Sequence, residues 1–201
     1  FLDQFTPQLP TAPNYYADGQ IKEEVYVYGT FLQSKMFAAG VNCLDCHDRH
    51  TMKVKSLDNS LCLQCHSSEV YEVKKHHRHQ PSSEGAQCVN CHMPQTRYMG
   101  VDDRRDHRFG IPKPDISLTN NSPNACVSCH QKQDKNQNNA WAAKQLQQWH
   151  GSSKTSPSKQ HLIQLNSTIP ITLTQHLAIV ADEQLAVISR ASALQMLPLT
   201  T

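Results

Sequence analysis

The tightest constraint on this chain is a five-residue pattern that occurs four times: CLDCH at 43–47, CLQCH at 62–66, CVNCH at 88–92 and CVSCH at 126–130. Together the four copies consume all eight cysteines. Two thiols three positions apart can form thioethers to the two vinyl groups of one haem, while the next residue sets an imidazole beneath the iron. C-x-x-C-H therefore reads as covalent c-type haem attachment. The expected haem-bonding residues are Cys43, Cys46, Cys62, Cys65, Cys88, Cys91, Cys126 and Cys129. The expected proximal iron ligands are His47, His66, His92 and His130, and the implied cofactor is haem c, four per chain.

Paired C-x-x-C motifs can also build tetrahedral zinc sites. With 12 histidines in 201 residues, a histidine after every pair has chance odds of roughly one in 10⁵, and a four-cysteine zinc site needs none of them. Haem is the better explanation.

Four haems then have to share the 88 residues from Cys43 to His130. So little chain cannot wrap each macrocycle in its own bundle, so the haems are expected to stack on one another and form much of the apolar core. The composition agrees, with 38% hydrophobic and 18% charged residues. The fold expected is mainly α with extensive loops, stacked haems as core, little or no β-sheet and a short helical tail. The formal charge of +2 belongs to the polypeptide alone. Two propionates per haem move it by about −8, to roughly −6, so nothing favours nucleic acid as a partner.

Haem attachment to this motif is completed outside the cytoplasm, which makes the expected location periplasmic or extracellular. A start at Phe1 is expected of a processed or partial chain. No apolar run is long enough for a transmembrane segment.

Three segments are expected: an N-terminal arm and helix over 1–40, a tetrahaem domain over 41–151, and a linker with a helical-repeat-like tail over 152–201. Residues 1–20 are rich in Pro and read as an extended arm. Residues 21–40 suggest a strand at VYVY followed by a helix ending at Gly40, with Phe31, Met36 and Phe37 packing around the first haem. NAWAAKQLQQWHG predicts a helix closed by Gly151, followed by the linker GSSKTSPSKQ. Thr172 and Gln175 match a capping box above a stripe of Leu173, Leu177 and Val180. Asp182 is the expected cap of a second helix with the stripe Val187, Ala191 and Leu194, stopped by Pro198.

Eight histidines remain once the four proximal ones are assigned. A second axial histidine fills an iron's coordination and leaves it to carry electrons only. His50, three residues after His47, is too close to serve the same haem and is expected to ligate a neighbouring one. Of the cluster at 76, 77 and 79, His76 and His79 are the expected distal ligands, and His107, held by the Pro-rich segment after it, is the fourth. His150, His161 and His176 are expected at the surface, and Met93 and Met99 in packing roles.

The segments GAQCVNCHMP, RYMGVDDRRDHRFGIPKPDISL, SPNACVSCH and WAAKQLQQWHG resemble the haem-bearing part of large multihaem cytochromes c with C-terminal tetratricopeptide-like or other helical repeats. More loosely, CHMP followed by an isolated histidine and another C-x-x-C-H is similar to the haem core of pentahaem nitrite reductases and octahaem hydroxylamine oxidoreductases. The resemblance spans about residues 20–151, and RASALQML resembles the start of helical repeats. It implies closely stacked haems, His50 and His107 as distal ligands, and export. The C-x-x-C-K motif by which nitrite reductases hold their catalytic haem does not occur in this sequence.

Electron transfer among closely packed haems is the function this points to, with other redox proteins or cytochromes as partners and, in a sharper form, a homo-polymeric extracellular filament. The alternative is an oxidoreductase with one open haem acting on a small nitrogen or sulfur compound, using Arg104, Arg105 or His77 as anion and proton donors. A helical tail could also serve as a docking module.

Overall fold

The computed structural model describes residue 4, residues 6–151 and residues 155–198. Its N-terminal portion does not run out as a free arm. Tyr15 and Ile21 form an isolated antiparallel bridge, and both are buried with Val25 and Tyr98 in a small apolar cluster. The Tyr98 hydroxyl donates to the Ile21 carbonyl at 3.2 Å, satisfying a polar group that burial would otherwise penalise.

The VYVY stretch alternates as expected, Val25 inward and Tyr26 88% exposed, but no strand among the described residues pairs with it. The helix expected after it is two single turns, α1 (Tyr28–Phe31) and α2 (Lys35–Ala38). Ser34 separates them because its hydroxyl accepts from the Phe37 amide and starts a new N-terminus. Gly40, at φ 88°, ends α2 as expected: the Val41 amide reaches back to the Met36 carbonyl across it.

Through the haem-motif region the chain is short turns and loops. The helices are α3 (Cys43–Cys46), α4 (Ser60–Leu63), α5 (Ser68–Tyr71), α6 (Lys74–His77) and α7 (Cys88–His92). β1 (Gln95–Tyr98) and β2 (Asp102–Arg105) follow as an antiparallel ribbon pairing Tyr98 with Asp102. Met99, Gly100 and Val101 make its three-residue connection, in which Met99 and Gly100 are both at positive φ and the Val101 amide donates to the Tyr98 carbonyl at 3.1 Å. This ribbon is the only sheet among the described residues, which are mainly helical.

Longer helices take over beyond it: α8 (Pro114–Asn120), α9 (Ala125–Gln133) and α10 (Asn139–His150), the last closed by Gly151 as predicted. Ala142 is the buried residue of α10, which packs on α8, and Arg78 from the histidine-rich segment lies over the Trp149 ring.

The linker is shorter than expected. Residues 152–154 lie outside the described residues, and Ser156 already caps α11 (Pro157–Asn166) through the Lys159 amide. α12 (Leu173–Ala181) carries the full Thr172–Gln175 capping box. α13 (Val187–Gln195) starts later than foreseen, because Asp182 caps the intervening turn through the Gln184 amide instead.

The buried faces of α12 and α13 sit one residue, about 100°, from the predicted stripes. Ile179 and His176 face inward on α12, and Ile188, Ser189, Ser192 and Ala193 on α13, while Val187 is 75% exposed. Small Ser and Ala side chains let these helices approach closely, a packing that a count of large residues misses. Leu162, Ile179 and Ala193 form the resulting core. The unit is tied to the rest by Asn166 donating to the Ala17 carbonyl at 3.2 Å and Ser167 to the Asn120 side chain at 2.9 Å. No helix among the described residues is long and apolar enough to cross a membrane.

Candidate functional site

Each C-x-x-C-H begins in or just ahead of a helical turn, which puts its cysteines on one side. Asn42 and Asp45 form a capping box at the first motif, and Asn124 caps the fourth through the Cys126 amide at 2.9 Å. The motifs are tied in sequence. Gln64 donates to the Asp45 carbonyl at 3.3 Å, and Asn59 accepts from the Cys88 amide at 2.9 Å while donating to the Ala86 carbonyl at 3.0 Å. Arg105 grips the third motif, donating to the carbonyls of Val89 and Met93 and to Asn90.

None of the eight cysteines is paired in a disulfide. Burial, and then the neighbouring thiol of Cys88, pushes Cys62 up to about 11. Burial and the nearby Cys126 and Cys129 do the same to Cys91. No three His, Cys, Asp or Glu side chains among the described residues converge as a metal-ion site.

The histidines fall into pairs. His47 and His107 have ring centres 6.4 Å apart with planes 20° from parallel. His92 and His76 are 6.1 Å apart at 10°, and His130 and His79 5.8 Å apart at 42°. Each pair joins one residue expected as a proximal ligand to one expected as distal. A metal–nitrogen bond of about 2.0 Å on each side, with about 1.1 Å from nitrogen to ring centre, spaces two imidazoles across one iron by about 6.2 Å. The three pairs fit a haem iron held between them.

Ring orientation agrees, since a ligating imidazole commonly donates its other N–H to an oxygen. Nδ1 faces the Met52 carbonyl in His47 at 2.7 Å, the Gly110 carbonyl in His92 at 3.0 Å and the Gln137 side-chain oxygen in His130 at 2.8 Å. His107 does the same to the Arg105 carbonyl at 2.9 Å, and His79 to the His77 carbonyl. In these five rings the Nε2 atom is left as the nitrogen that could reach an iron. Burial is the main cause holding the imidazoliums of His107 and His76 below the ordinary histidine value, and this favours the neutral, ligating form.

Local packing supports this arrangement. The Asp48 carboxylate accepts from the amides of His50 and Thr51 and closes the turn that presents the Met52 carbonyl. A Cβ on Gly85 would collide with the His79 ring, so glycine is what admits that imidazole. Phe109 lies edge-on to His107, 6.0 Å away, and Phe31 edge-on to Phe109 at 6.4 Å, which brings the N-terminal segment to the first site.

His66 and His50 stand apart. Both are exposed, and neither has an imidazole partner across from it among the described residues. The neighbour of His66 is Tyr71, edge-on at 5.5 Å. His77, half-buried, accepts from the His79 amide at 3.2 Å. Arg104 is taken up by Asp102, Glu24 and the Val25 carbonyl, and Arg105 by the third motif, so both guanidiniums are structural. His150 is exposed and His161 half-buried. His176, expected at the surface, is buried, because its Nε2 donates to the Ala193 carbonyl at 2.6 Å and so needs no water. Asn59 and Gln137 carry no motif, and only the fold reveals them, as it does the grip of Arg105 on the third motif.

A family described as cytochrome c552 matches residues 66–169, just over half of the chain, and a doubled CXXCH motif matches residues 35–71. No curated protein and no solved structure matches.

Proposed function

The chain belongs to the cytochrome c552 family and is a multihaem c-type cytochrome whose haems transfer electrons; from that premise we propose that it carries four haems, one on each C-x-x-C-H motif. Haem supplies the reversible change of iron oxidation state. The chain's part is to attach, orient and shield. The eight cysteines, Cys43 to Cys129 in four pairs, form the thioethers, and His47, His66, His92 and His130 hold the irons from one side.

The observation that carries the reading is the three imidazole pairs. His107, His76 and His79 close the irons held by His47, His92 and His130, and carbonyl or amide oxygens fix five of the six rings. Six-coordinate irons change little on reduction, which favours transfer over chemistry. The ties from Gln64 to the first motif and from Asn59 to the third hold successive motifs side by side, so that haem edges come close and electrons pass along the series. Residues 41–151 form this conducting unit, with 152–201 as the helical tail. Its partners are other redox proteins, and its place is outside the cytoplasm, in the periplasm or beyond.

The intact mass of the purified holoprotein tests the count. Four covalent haems are expected, and three or fewer would overturn it.

A further inference from the structure

A pocket of about 280 Å³ lies between β1, the loop that leads into α9 and the first residue of α10. Among the described residues five buried side-chain polar atoms have no hydrogen-bond partner, and three of them belong to its walls: Ser122 Oγ, Asn124 Nδ2 and Asn139 Oδ1. Ser122 is only 3% exposed. Buried polar atoms nearly always find a partner, so three orphans in one place point to a molecule that supplies the missing bonds. A water takes about 30 Å³ of liquid volume, so the space exceeds a single bridging water several-fold.

The pocket is not the seat of a haem. Cys126, Cys129 and His130 are three and four positions apart and share one side of α9, whereas its Val127 and Ser128, which line the pocket, fall on the other side. The orphans also define the ligand. Asn124 is fixed in orientation, because its Oδ1 accepts from the Cys126 amide at 2.9 Å, which leaves Nδ2 as a donor. Asn139 Oδ1 is an acceptor, and the Ser122 hydroxyl serves as either. No Asp, Glu, Lys, Arg or His is among the lining residues, so a charged ligand would enter without a counter-ion.

We infer that this pocket binds a small uncharged molecule through a carboxamide group, its C=O accepting from Asn124 and its N–H donating to Asn139. A carboxylate offers acceptors alone and an ammonium donors alone. A carboxamide carries the two functions on separate atoms, which suits partners on separate elements of the fold. The site goes beyond electron transfer and does not depend on the number of haems.

The test is saturation-transfer nuclear magnetic resonance of the acetamide methyl group with the dithionite-reduced holoprotein. Saturable binding with a dissociation constant on the order of millimolar is expected, and acetate, acetone and propan-2-ol should each show about tenfold less transfer. Asn124→Asp keeps an oxygen to cap the Cys126 amide but replaces the donor, and should weaken acetamide about tenfold. If that variant does not fold, Asn139→Ala, which removes the acceptor from a helix capped by Asn138, should do the same. No transfer to acetamide would overturn the inference and leave the pocket to water. Transfer as strong to acetate, acetone or propan-2-ol, or transfer to acetamide unchanged in both variants, would overturn it as well.

Discussion

The stretch that bears the first three haem motifs and the tail that follows Thr155 are built on opposite plans. In the tail, Leu162, Ile179 and Ala193 meet in a core made by three helices of nine or ten residues. Between 41 and 94 the helices are four or five residues long, and Met52, Val54, Leu57 and Val70 are exposed, Leu57 at 87%. Helices that short are not stable by themselves. What a polypeptide core does for the tail has to be done in the other region by the haems its cysteines hold.

The strongest way to break this comparison is to remove a haem. Cys88→Ser/Cys91→Ser should abolish amide protection across the second and third motifs, a loss of more than about 4 kcal/mol locally, and leave α11 to α13 protected. Hydrogen exchange read by mass spectrometry decides it, and equal protection in both regions would mean the haems are not the core.

The converse experiment acts on the tail. Ile179 is fully buried, so Ile179→Ala should cost about 2–4 kcal/mol in thermal unfolding followed by circular dichroism, with the haem absorbance unchanged. Between the two in kind stands Gly85→Ala, where a methyl meets the His79 ring. A cost of about 1–3 kcal/mol is expected, together with a high-spin fraction in the ferric absorbance of the haem held by His130.

The smallest effect sharpens the contact between the regions. Burial, and then the adjacent charge of Arg108, holds the Lys159 ammonium down to about 8. A lysine lowered on folding binds its proton less tightly than in the unfolded chain, so folding is penalised below about 8, and the penalty fades as pH rises toward about 10.5. Lys159 is only half-buried by exposure, so Lys159→Met should gain about 1–2 kcal/mol at pH 7 and nothing near pH 11, read from urea unfolding at both.

What was legible in the sequence was what is local. C-x-x-C-H, the Thr172–Gln175 box, Gly40 and Gly151 each act within a few residues, and the helices or turns they imply are present. Helix faces were not legible where small residues decide the packing, as Ser189, Ser192 and Ala193 do on α13. His176 was misjudged for the same reason, since its partner carbonyl lies on another helix. Histidine pairing was beyond reach because it joins residues up to 60 positions apart, as from His47 to His107. No spacing rule could single out His66 as the one left beside a tyrosine.

The most direct test of the account is the electron paramagnetic resonance spectrum of the oxidised holoprotein, because the angle between axial imidazole planes shapes a low-spin ferric signal. Two rhombic low-spin signals are expected from the near-parallel pairs His47–His107 and His76–His92 and a distinct third from the 42° pair His79–His130, with His107→Ala removing one rhombic signal. A spectrum dominated by high-spin iron, or one unchanged in His107→Ala, would contradict the pairing on which the account stands.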